Sequence, residues 1–400
     1  MNLLLVSHSS EIADGIGVHY YRLAEELAKR GHSVHFAALP SYCPPENHYR
    51  MENGVHCYRY TPPSPPLFYK RGIGGVLRIL KVLDWFYFYY KQKLNTRFID
   101  SIIDKHNIDL IESTNAQGLL ASYSRRTKRL PICVRVSTLG IDVAHYEGGG
   151  KSTYEKQLWK AEQETIRRSN SLVTHTRVHR KLVCQTLKIK EQNIEIIPHG
   201  IKIPNFNETK ESDNKDLQLL FVGRFDKRKG VDVLLRSIPY VLKSCPQVKF
   251  NLVGQDPENR HEKNFFCSNP HLSDRVFFHG FVSNEEVTGH YERCDLLVAP
   301  SLYESFGQIY LEAMSYGKPV IGCNTGGIPE VIEDGVCGLL AKPGCMDSLT
   351  DKIIKICSHK KYRKLLGKQA QERVKKLFDI KNVGDDTLEL YEQMLAHTKK

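Results

Sequence analysis

The chain has 400 residues, of which 41% are apolar and 26% charged, and its formal net charge at pH 7 is +12. A chain of this length is expected to form two domains. No apolar run reaches the roughly 18 residues that a membrane-spanning helix needs, so the composition predicts a soluble globular protein. The eleven cysteines form no CxxC pair, which excludes a disulfide framework or a cysteine-based metal site and favours buried thiols in a reducing cytosol.

The basic residues are concentrated in the first half of the chain. Residues 1–200 contain 28 Lys and Arg against 18 Asp and Glu, whereas residues 201–400 contain 29 against 27. A basic domain prefers an acidic partner. Acidic partners of this kind include phospholipids, nucleic acids and phosphorylated ligands.

The first predicted elements are a strand over residues 2–7, a helix over 17–30 and a strand over 32–39. A loop that contains Gly15 joins the first strand to the helix. This order of strand, glycine loop, helix and strand predicts the start of a parallel α/β sheet. The segment 40–66 is rich in Pro, Tyr and His, and it is predicted to be a long irregular loop over the first domain.

Residues 67–98 combine seven Lys and Arg with nine aromatic residues and a single acidic residue, Asp84. Six aromatic residues follow one another at 85–90, between basic flanks. One interpretation is a segment that lies in the interface of an anionic membrane. The other is a core helix whose aromatic side chains pack under the sheet while its Lys and Arg side chains reach water. The sequence favours neither interpretation.

Three polar residues lie at the ends of predicted strands in the first half. Glu112 belongs to a strand over 108–113, Asn115 follows that strand, and Asp142 follows the next one. Polar side chains in such positions either line a cleft or satisfy nearby backbone groups. The three residues are therefore candidates for lining a ligand cleft, and each could equally have a local structural role.

A polar stretch over residues 205–216 is predicted to be a linker. The next strand leads into a loop of the form G-R-x4-K-G, which contains Gly223, Arg224 and Lys229. A guanidinium fork and an ammonium point charge from one loop suit a diphosphate. Short apolar strands then alternate with helices, which predicts a parallel sheet with its ligand at the carboxyl ends of the strands.

Two carboxylates and two expected helix starts lie close together in the stretch PSLYESFGQIYLEAMSYGKPVIGCNTGGIPE. Glu304 precedes a helix that is predicted to open at Ser305-Phe306-Gly307, and Glu312 lies inside that helix. Free backbone N–H groups and the positive end of the helix dipole suit a phosphate at such a start. Gly326 and Gly327 are expected to form a second start of the same kind, because they allow a close approach of the backbone.

Together these motifs resemble the signature of glycosyltransferase family 4, whose members are retaining, sugar-nucleotide-dependent enzymes of the GT-B fold. The resemblance rests on Glu304 and Glu312 around SFG, on GGIPE and on G-R-x4-K-G. It covers nearly the whole chain and is densest over residues 217–342. It implies an α/β protein with two Rossmann-like, doubly wound domains that face an interdomain cleft.

The resemblance also sets the expected domain boundaries. Residues 1–204 form the acceptor-side domain, 205–216 the linker and 217–380 the nucleotide-sugar-binding domain, and a helix over 381–400 returns to the first domain. The first domain departs from the family at the positions where histidines are frequent. The resemblance therefore assigns no catalytic base.

By this resemblance, the catalytic residues are Arg224, Lys229 and Glu304. The two cations neutralise charge on the leaving diphosphate, and Glu304 orients the transferred sugar. The donor-binding residues that the resemblance implies are Gly15, Gly223, Ser305, Phe306, Gly307, Glu312, Gly326 and Gly327. The acceptor-side candidates are Glu112, Asn115 and Asp142. The chain has no DxD motif, so we expect that no metal ion or other cofactor is required.

The expected partners are a nucleotide-diphosphate sugar as the donor and a hydroxyl acceptor. The acceptor is a glycan or a lipid-linked sugar, such as a precursor of a cell-surface polysaccharide. We further expect contact with an anionic membrane surface through residues 67–98, no nucleic-acid partner, and a cytoplasmic location with or without membrane association.

Two other classes of function fit parts of the sequence. The first is a sugar-nucleotide epimerase or a phosphorylase of similar fold, and the absorbance of pyridoxal phosphate would identify a phosphorylase. The second is a non-enzymatic basic protein that binds membrane or nucleic acid, motivated by the charge of residues 1–200. Salt-sensitive binding to a duplex without binding of a sugar nucleotide would favour this second class.

Overall fold

The computed structural model describes residues 1–10, 15–40, 46–63, 82–127, 129–142, 152–204 and 216–398. These residues form two compact units. The first comprises Met1–His175, His179–Gly200 and Ile380–Lys400, and the second comprises Thr176–Val178 and Ile201–Asp379. Residues 205–215 of the expected linker lie outside the described part of the chain.

The first unit is built on an eight-stranded sheet. Its strands are β1 (Asn2–Ser7), β2 (Ser33–Ala38), β3 (Glu46–Glu52), β4 (Val55–Thr61), β5 (Leu110–Thr114), β6 (Ile132–Arg135), β7 (Ser171–Thr174) and β8 (Ile194–Ile196). Their order in the sheet is β3-β4-β2-β1-β5-β6-β7-β8, and all neighbours are parallel except β3 and β4. Leu4 and Val6 pack into one core cluster and Leu3 and Leu5 into another, so both faces of β1 are buried.

A β-hairpin occupies most of the segment that the sequence predicted to be an irregular loop. Strands β3 and β4 pair in antiparallel register, and β4 also pairs with β2. The turn between them is Asn53-Gly54, with φ of 49° and 79°. An Asn-Gly pair with two positive φ angles is the preferred two-residue hairpin turn. The loop prediction was therefore wrong over residues 46–61, while residues 41–45 and 64–66 lie outside the described part.

Five helices of the first half connect these strands. They are α1 (Gly15–Lys29), α2 (Val82–His106), α3 (Ala121–Ser124), α4 (Thr153–Arg168) and α5 (Arg177–Leu187). Helix α4 begins with a capping box, in which Ser152 and Glu155 satisfy each other's backbone N–H groups. The chain from β9 (Leu217–Val222) onward builds a separate sheet.

The aromatic block at the start of α2 is divided between core and surface. Phe88 is buried and packs with Ala121 and Ala161, whereas Trp85 and Phe86 have 49% and 46% of their surface exposed. The buried Phe88 thus agrees with the core interpretation, and contact of the exposed rings with a membrane stays a prediction. The described helices include none that is long and apolar enough to cross a membrane, and residues 67–81 lie outside the described part.

The second unit contains a six-stranded parallel sheet. Its strands are β9 (Leu217–Val222), β10 (Val248–Val253), β11 (Val276–Gly280), β12 (Leu296–Val298), β13 (Val320–Cys323) and β14 (Gly338–Ala341). Their order is β11-β10-β9-β12-β13-β14. This is the doubly wound order, in which the chain direction across the sheet reverses between β9 and β12.

The helices of the second unit are α6 (Val231–Ser244), α7 (Arg260–Ser268), α8 (Asn284–Arg293), α9 (Gln308–Ser315), α10 (Ile328–Val331), α11 (Met346–Ser358) and α12 (Lys360–Leu377). Two core clusters cover the two faces of the sheet. Leu219 and Phe221 of β9 pack into one of them, and Leu220 packs into the other. A strand that is apolar throughout is expected where helices cover a parallel sheet on both sides.

The last helix, α13 (Ile380–Thr398), belongs to the first unit. Its residues Val383, Leu390 and Tyr391 share a core cluster with Leu23 and Leu27 of α1. Two polar contacts add to this packing, since Arg30 pairs with Asp385 and the hydroxyl of Tyr391 donates to Glu112 at 2.7 Å. The first unit is therefore assembled from two distant parts of the chain.

Candidate functional site

The loop after β9 lies at the switch point of the second sheet and packs tightly against the end of β12. Asp226 accepts a hydrogen bond from the backbone N–H of Lys229 at 2.9 Å, which closes a short turn. Gly230 has a φ of +70°, and a Cβ there would lie 2.0 Å from the carbonyl oxygen of Pro300. Only glycine fits this contact, which explains the last position of the G-R-x4-K-G pattern.

Glu304 follows β12 and meets two cations from that loop. Its carboxylate pairs with Lys229 and lies 3.5 Å from Nη1 of Arg228. The hydroxyl of Ser301 donates to the same carboxylate at 3.3 Å. Burial raises the pKa of Glu304, but Lys229 and Arg228 overcome this effect and hold the pKa below its ordinary value. Glu304 is therefore a buried anion at neutral pH.

Arg224 lies apart from this cluster. Its side chain is 57% exposed and pairs with Asp226 at 3.0 Å. In contrast, the side chains of Lys229 and Arg228 are only 17% and 11% exposed. Lys229 and Arg228 thus face Glu304, whereas Arg224 is exposed like Lys227 of the same loop, so Arg224 and Lys229 play different structural roles.

The helix expected to open at Ser305-Phe306-Gly307 begins at Gln308. Gly307 is the residue before the helix and has a φ of +94°. The side chain of Phe306 is buried and packs edge-to-face on Phe378, with ring centroids 5.8 Å apart. Phe306 therefore anchors the loop in the core.

Glu312 lies one turn into α9 and is half-buried. The hydroxyl of Tyr291 in α8 donates to Oε2 of Glu312 at 2.9 Å. The tyrosine ring is buried, so this hydrogen bond fixes the direction of the carboxylate. A carboxylate held in this way can accept hydrogen bonds from the hydroxyls of a ligand.

Gly326 and Gly327 allow two loops of the second unit to touch. The N–H of Gly327 donates to the carbonyl oxygen of Glu304 at 2.8 Å. A Cβ at Gly326 would lie 2.2 Å from that oxygen, and one at Gly327 would lie 2.1 Å from the carbonyl oxygen of Ser305. The helix after them, α10, has only four residues. The second helix start expected from the sequence is therefore a single turn, and the close approach that the glycines allow is to the 304–305 backbone.

The donor-side glycine expected in the first unit, Gly15, is the exposed first residue of α1. The glycine whose backbone makes a close contact is Gly17, two residues later. A Cβ at Gly17 would lie 1.9 Å from the carbonyl oxygen of Ser10. Gly17 thus fixes the path of the chain from β1 into α1.

Two acceptor-side candidates have no exposed surface. Glu112 forms an ion pair with Arg135 at 2.7 Å and accepts a hydrogen bond from Tyr391 at the same distance. Asn115 accepts hydrogen bonds through Oδ1 from the backbone N–H and the hydroxyl of Ser137, at 2.8 and 2.9 Å. Its Nδ2 has no hydrogen-bond partner among the described residues. Glu112 is thus a core residue of the first unit.

Asp142, the third candidate, is partly exposed at the end of the loop after β6. Its charge raises the pKa of the neighbouring Glu162 in α4.

Sequence reasoning missed Glu162, because nothing separates it from the other charges of an amphipathic helix. It also missed Arg228 and Tyr291, which only the fold brings to Glu304 and Glu312. The run Lys227-Arg228-Lys229 was the one available signal for Arg228.

A cavity of about 1180 Å3 lies at the other end of the second sheet. It is lined by residues at the start of β9, such as Leu217 and Gln218, and by residues that precede β12 and β13, such as Asp295 and Pro319. Ligands of doubly wound sheets bind at the carboxyl ends of the strands. The site around Glu304, and not this cavity, has the expected position. Within the described part of the chain, no three His, Cys, Asp or Glu side chains are arranged to hold a metal ion.

Comparison with known proteins places both halves of the chain in one class. Residues 13–203 match the model of Glycosyltransferase Family 4, and residues 202–373 match that of Glycosyl transferases group 1. An uncharacterized glycosyltransferase of Methanocaldococcus jannaschii is 26% identical over 393 residues, which are 95% of this chain and 94% of the relative.

Solved structures of the same class have the same fold. The sucrose-phosphate synthase of Thermosynechococcus elongatus superposes with a TM-score of 0.80 at 21% identity and covers 99% of this chain and 100% of its own. The Anabaena protein HepE in complex with UDP-glucose superposes with a TM-score of 0.70 at 18% identity, covering 98% and 99%. With both halves matched by family models and the GT-B fold shared, the chain is a glycosyltransferase of the family 4 type.

Proposed function

We propose that the protein transfers a sugar, with retention of the anomeric configuration, from a UDP-sugar to a hydroxyl acceptor. The observation that carries this proposal is the group of Lys229, Arg228 and Glu304 at the switch point of the second sheet. UDP is the nucleotide because HepE, a protein of the same fold, binds UDP-glucose. Family membership makes the epimerase, the phosphorylase and the non-enzymatic binder the weaker alternatives.

In the proposed reaction the bond between the anomeric carbon and the diphosphate oxygen breaks, and the acceptor oxygen forms a new bond on the same face of the sugar. The acceptor hydroxyl releases its proton, and the diphosphate leaves with the bonding electron pair. Lys229 and Arg224 neutralise the charge that grows on the diphosphate. The side chain of Arg224 is 57% exposed and pairs with Asp226, so we propose that it turns toward the diphosphate when the donor binds.

Glu304 has two tasks in this scheme. Its carboxylate holds Lys229 in place before the donor binds, and it accepts a hydrogen bond from the transferred sugar. The backbone N–H groups at Ser305-Phe306-Gly307 and the glycines at 223, 326 and 327 let the donor lie close to the chain. We propose no metal ion and no further cofactor, because the two cations supply the charge that the diphosphate needs.

The proposed donor is tested with a thermal-shift panel of UDP-glucose, UDP-N-acetylglucosamine, GDP-mannose and ADP-glucose. A ligand at one hundred times its Kd stabilises the native state by about 2.7 kcal/mol, so one UDP-sugar is expected to raise Tm clearly. The Lys229→Ala variant is expected to lose most of that shift. Stabilisation by GDP-mannose or ADP-glucose alone would contradict the choice of UDP, and no stabilisation by any of the four would contradict the proposal.

Glu312 is proposed to accept hydrogen bonds from the ribose hydroxyls of the donor. Glu312→Ala is therefore expected to raise the donor KM about tenfold with a smaller change in kcat, since a ground-state contact is lost. Tyr291→Phe is the matched control, because it removes the partner of Glu312 but keeps the carboxylate. Steady-state nucleotide release measures both. An unchanged donor KM in Glu312→Ala would remove Glu312 from the donor site.

The proposed acceptor is a glycan or a lipid-linked sugar, such as a polysaccharide precursor on the cytoplasmic face of a membrane. Its support is the basic charge of residues 1–200 and the exposure of Trp85 and Phe86 on α2. Aromatic side chains beside basic residues bind membrane interfaces. We propose that residues 67–98 hold the first unit on an anionic surface, and that no nucleic acid binds.

Flotation with vesicles of phosphatidylglycerol and phosphatidylcholine tests the membrane surface. The double variant Trp85→Ala/Phe86→Ala is expected to bind at least about tenfold more weakly, because each ring buries apolar area worth about 1.5–3 kcal/mol. Phe281→Ala is the control, since this phenylalanine is 79% exposed but lies in the second unit. Equal flotation of both variants would show that the α2 rings do not contact lipid.

The remaining proposal concerns the arrangement of the chain. We propose that residues 205–216 link an acceptor-side domain, 1–204, to a donor-side domain, 217–380. The GT-B fold of the relatives supports this arrangement. The returning segment, 381–400, completes the acceptor-side domain.

A further inference from the structure

Glu162 connects two loops at the carboxyl edge of the first sheet. Its Oε1 accepts the backbone N–H of Gln117 at 3.0 Å, and its Oε2 accepts the N–H of Gly140 at 3.1 Å. Gln117 belongs to the loop after β5, which forms a 3-10 turn over Ala116–Gly118. Gly140 ends the loop after β6, where a helical stretch begins. The side chain of Glu162 is only 7% exposed. A single buried carboxylate thus fixes the backbone of both loops to α4.

The backbone of both loops is shaped for this contact. Gln117 has a φ of +62°, which is uncommon for a residue other than glycine. A Cβ at Gly118 would lie 2.4 Å from Cβ of Ala161, and one at Gly140 would lie 2.6 Å from the ring nitrogen of Trp159. Two glycines and one strained residue therefore bring these N–H groups down onto α4. The cost of this strain is offset only while Glu162 accepts both hydrogen bonds.

The same two loops carry the acceptor-side candidates. Asn115 and Ser137 tie one loop to the other, and Nδ2 of Asn115 remains a buried donor without a partner among the described residues. Asp142 lies on the loop after β6. The first loop follows β5, which pairs with β1 where the chain direction across the first sheet reverses, and the second follows β6, the next strand along. A doubly wound sheet binds its ligand at the carboxyl ends of the strands around this reversal.

We propose that Glu162 is the positioning residue of the acceptor side, which fixes the loops of Asn115 and Asp142 in the arrangement that binds the acceptor hydroxyl. This inference rests on the proposed function. An ionised carboxylate accepts two hydrogen bonds, whereas a protonated one has turned one oxygen into a donor and releases one loop. Acceptor binding therefore depends on the charge state of Glu162, and donor binding in the second unit does not.

The surroundings of Glu162 place this change near neutral pH. Burial raises the pKa of Glu162 to about 7, the two backbone hydrogen bonds and the charge of His8 lower it, and the charge of Asp142 raises it. Helix α2 contributes a neutral amide on this side, since Gln92 donates to the carbonyl oxygen of Gly118. Above pH 7 the carboxylate is ionised and holds both loops, and below pH 7 it is protonated and holds one.

Amide hydrogen exchange tests the loop attachment without any substrate. After correction for the intrinsic pH dependence, exchange in residues 115–118 and 137–142 is expected to be at least tenfold faster at pH 6 than at pH 8. Glu162→Gln should show the fast exchange at both pH values, because the single oxygen of its amide can accept a hydrogen bond from only one of the two N–H groups. Glu164→Gln, on the exposed side of the same helix, is the control and should match the wild type.

Kinetics then separate a positioning role from a merely structural one. With n-octyl β-D-glucopyranoside as the acceptor, Glu162→Gln is expected to raise the acceptor KM at least tenfold while the donor KM stays within twofold. The fall of kcat/KM for the acceptor below pH 7 should be present in the wild type and absent in Glu162→Gln. Parallel changes in both KM values, or unchanged exchange in either loop, would overturn the proposal. A wild-type enzyme that transfers to no hydroxyl acceptor would instead contradict the proposed function, and the exchange result would still decide the attachment.

Discussion

Replacing Lys229 by alanine is expected to lower kcat about a thousandfold, which corresponds to about 4 kcal/mol of transition-state stabilisation. The ammonium group is the buried cation closest to Glu304, and the proposed leaving diphosphate depends on it for charge neutralisation. Lys227→Ala is the matched control, since Lys227 is exposed in the same loop, and it should keep kcat within twofold. Nucleotide release from the donor under saturating conditions is the measurement.

Arg224→Ala distinguishes catalysis from support of the fold. This side chain is mostly exposed, and it pairs with Asp226. Its loss is expected to lower kcat about a hundredfold and to leave Tm unchanged, whereas Lys229→Ala should lower both because Glu304 loses a buried partner. Near-wild-type rates in both variants would refute the assignment of the diphosphate site.

Removing Arg135 is expected to cost about 3–5 kcal/mol in the free energy of unfolding of the first unit. Arg135 and Glu112 are 1% and 0% exposed, so Arg135→Ala leaves an unpaired carboxylate in the core. Chemical denaturation followed by circular dichroism measures the loss. Glu164→Gln breaks an exposed pair with Arg125 instead, and it should cost less than about 1 kcal/mol.

A double variant shows whether the charge or the packing is responsible. Glu112→Leu with Arg135→Met removes both charges and keeps most of the volume. It is expected to be more stable than Arg135→Ala, because replacing a buried ion pair with apolar side chains is often neutral. If Arg135→Ala unfolded no more easily than Glu164→Gln, the carboxylate of Glu112 would have access to water, and its place among the acceptor-side candidates would be restored.

The site of the second unit could be predicted because its residues lie in short local patterns. Gly223, Lys229, Glu304 and Gly326 each stand in a loop directly after a strand, and parallel strands bring such loops to one edge. These patterns did not show which side chain each of these residues would contact. Arg228 reaches Glu304 only because the loop after β9 packs on the end of β12.

The first unit could be predicted less well, because its polar residues find partners far away in the chain. Glu112 faces Arg135 only through the pairing of β5 with β6, and it meets Tyr391 only through α13. The sequence alone does not show which residues that lie far apart in the chain become neighbours in the fold. The hairpin was different, since the pair Asn53-Gly54 was visible in the sequence and its significance as a turn was overlooked.

The assembly of the first unit from both parts of the chain has a consequence for synthesis. Domains generally fold as they leave the ribosome, beginning with the N-terminal one. Here residues 1–200 emerge first, but α13 follows the whole second unit in the chain. Until α13 has been translated, Tyr391 cannot take its place in the core of the first unit, and Glu112 lacks the hydrogen bond that Tyr391 donates. The unit encoded first is thus completed last. A chain that is truncated before residue 380 contains the residues of the second unit but lacks the part of the first unit's core that α13 provides.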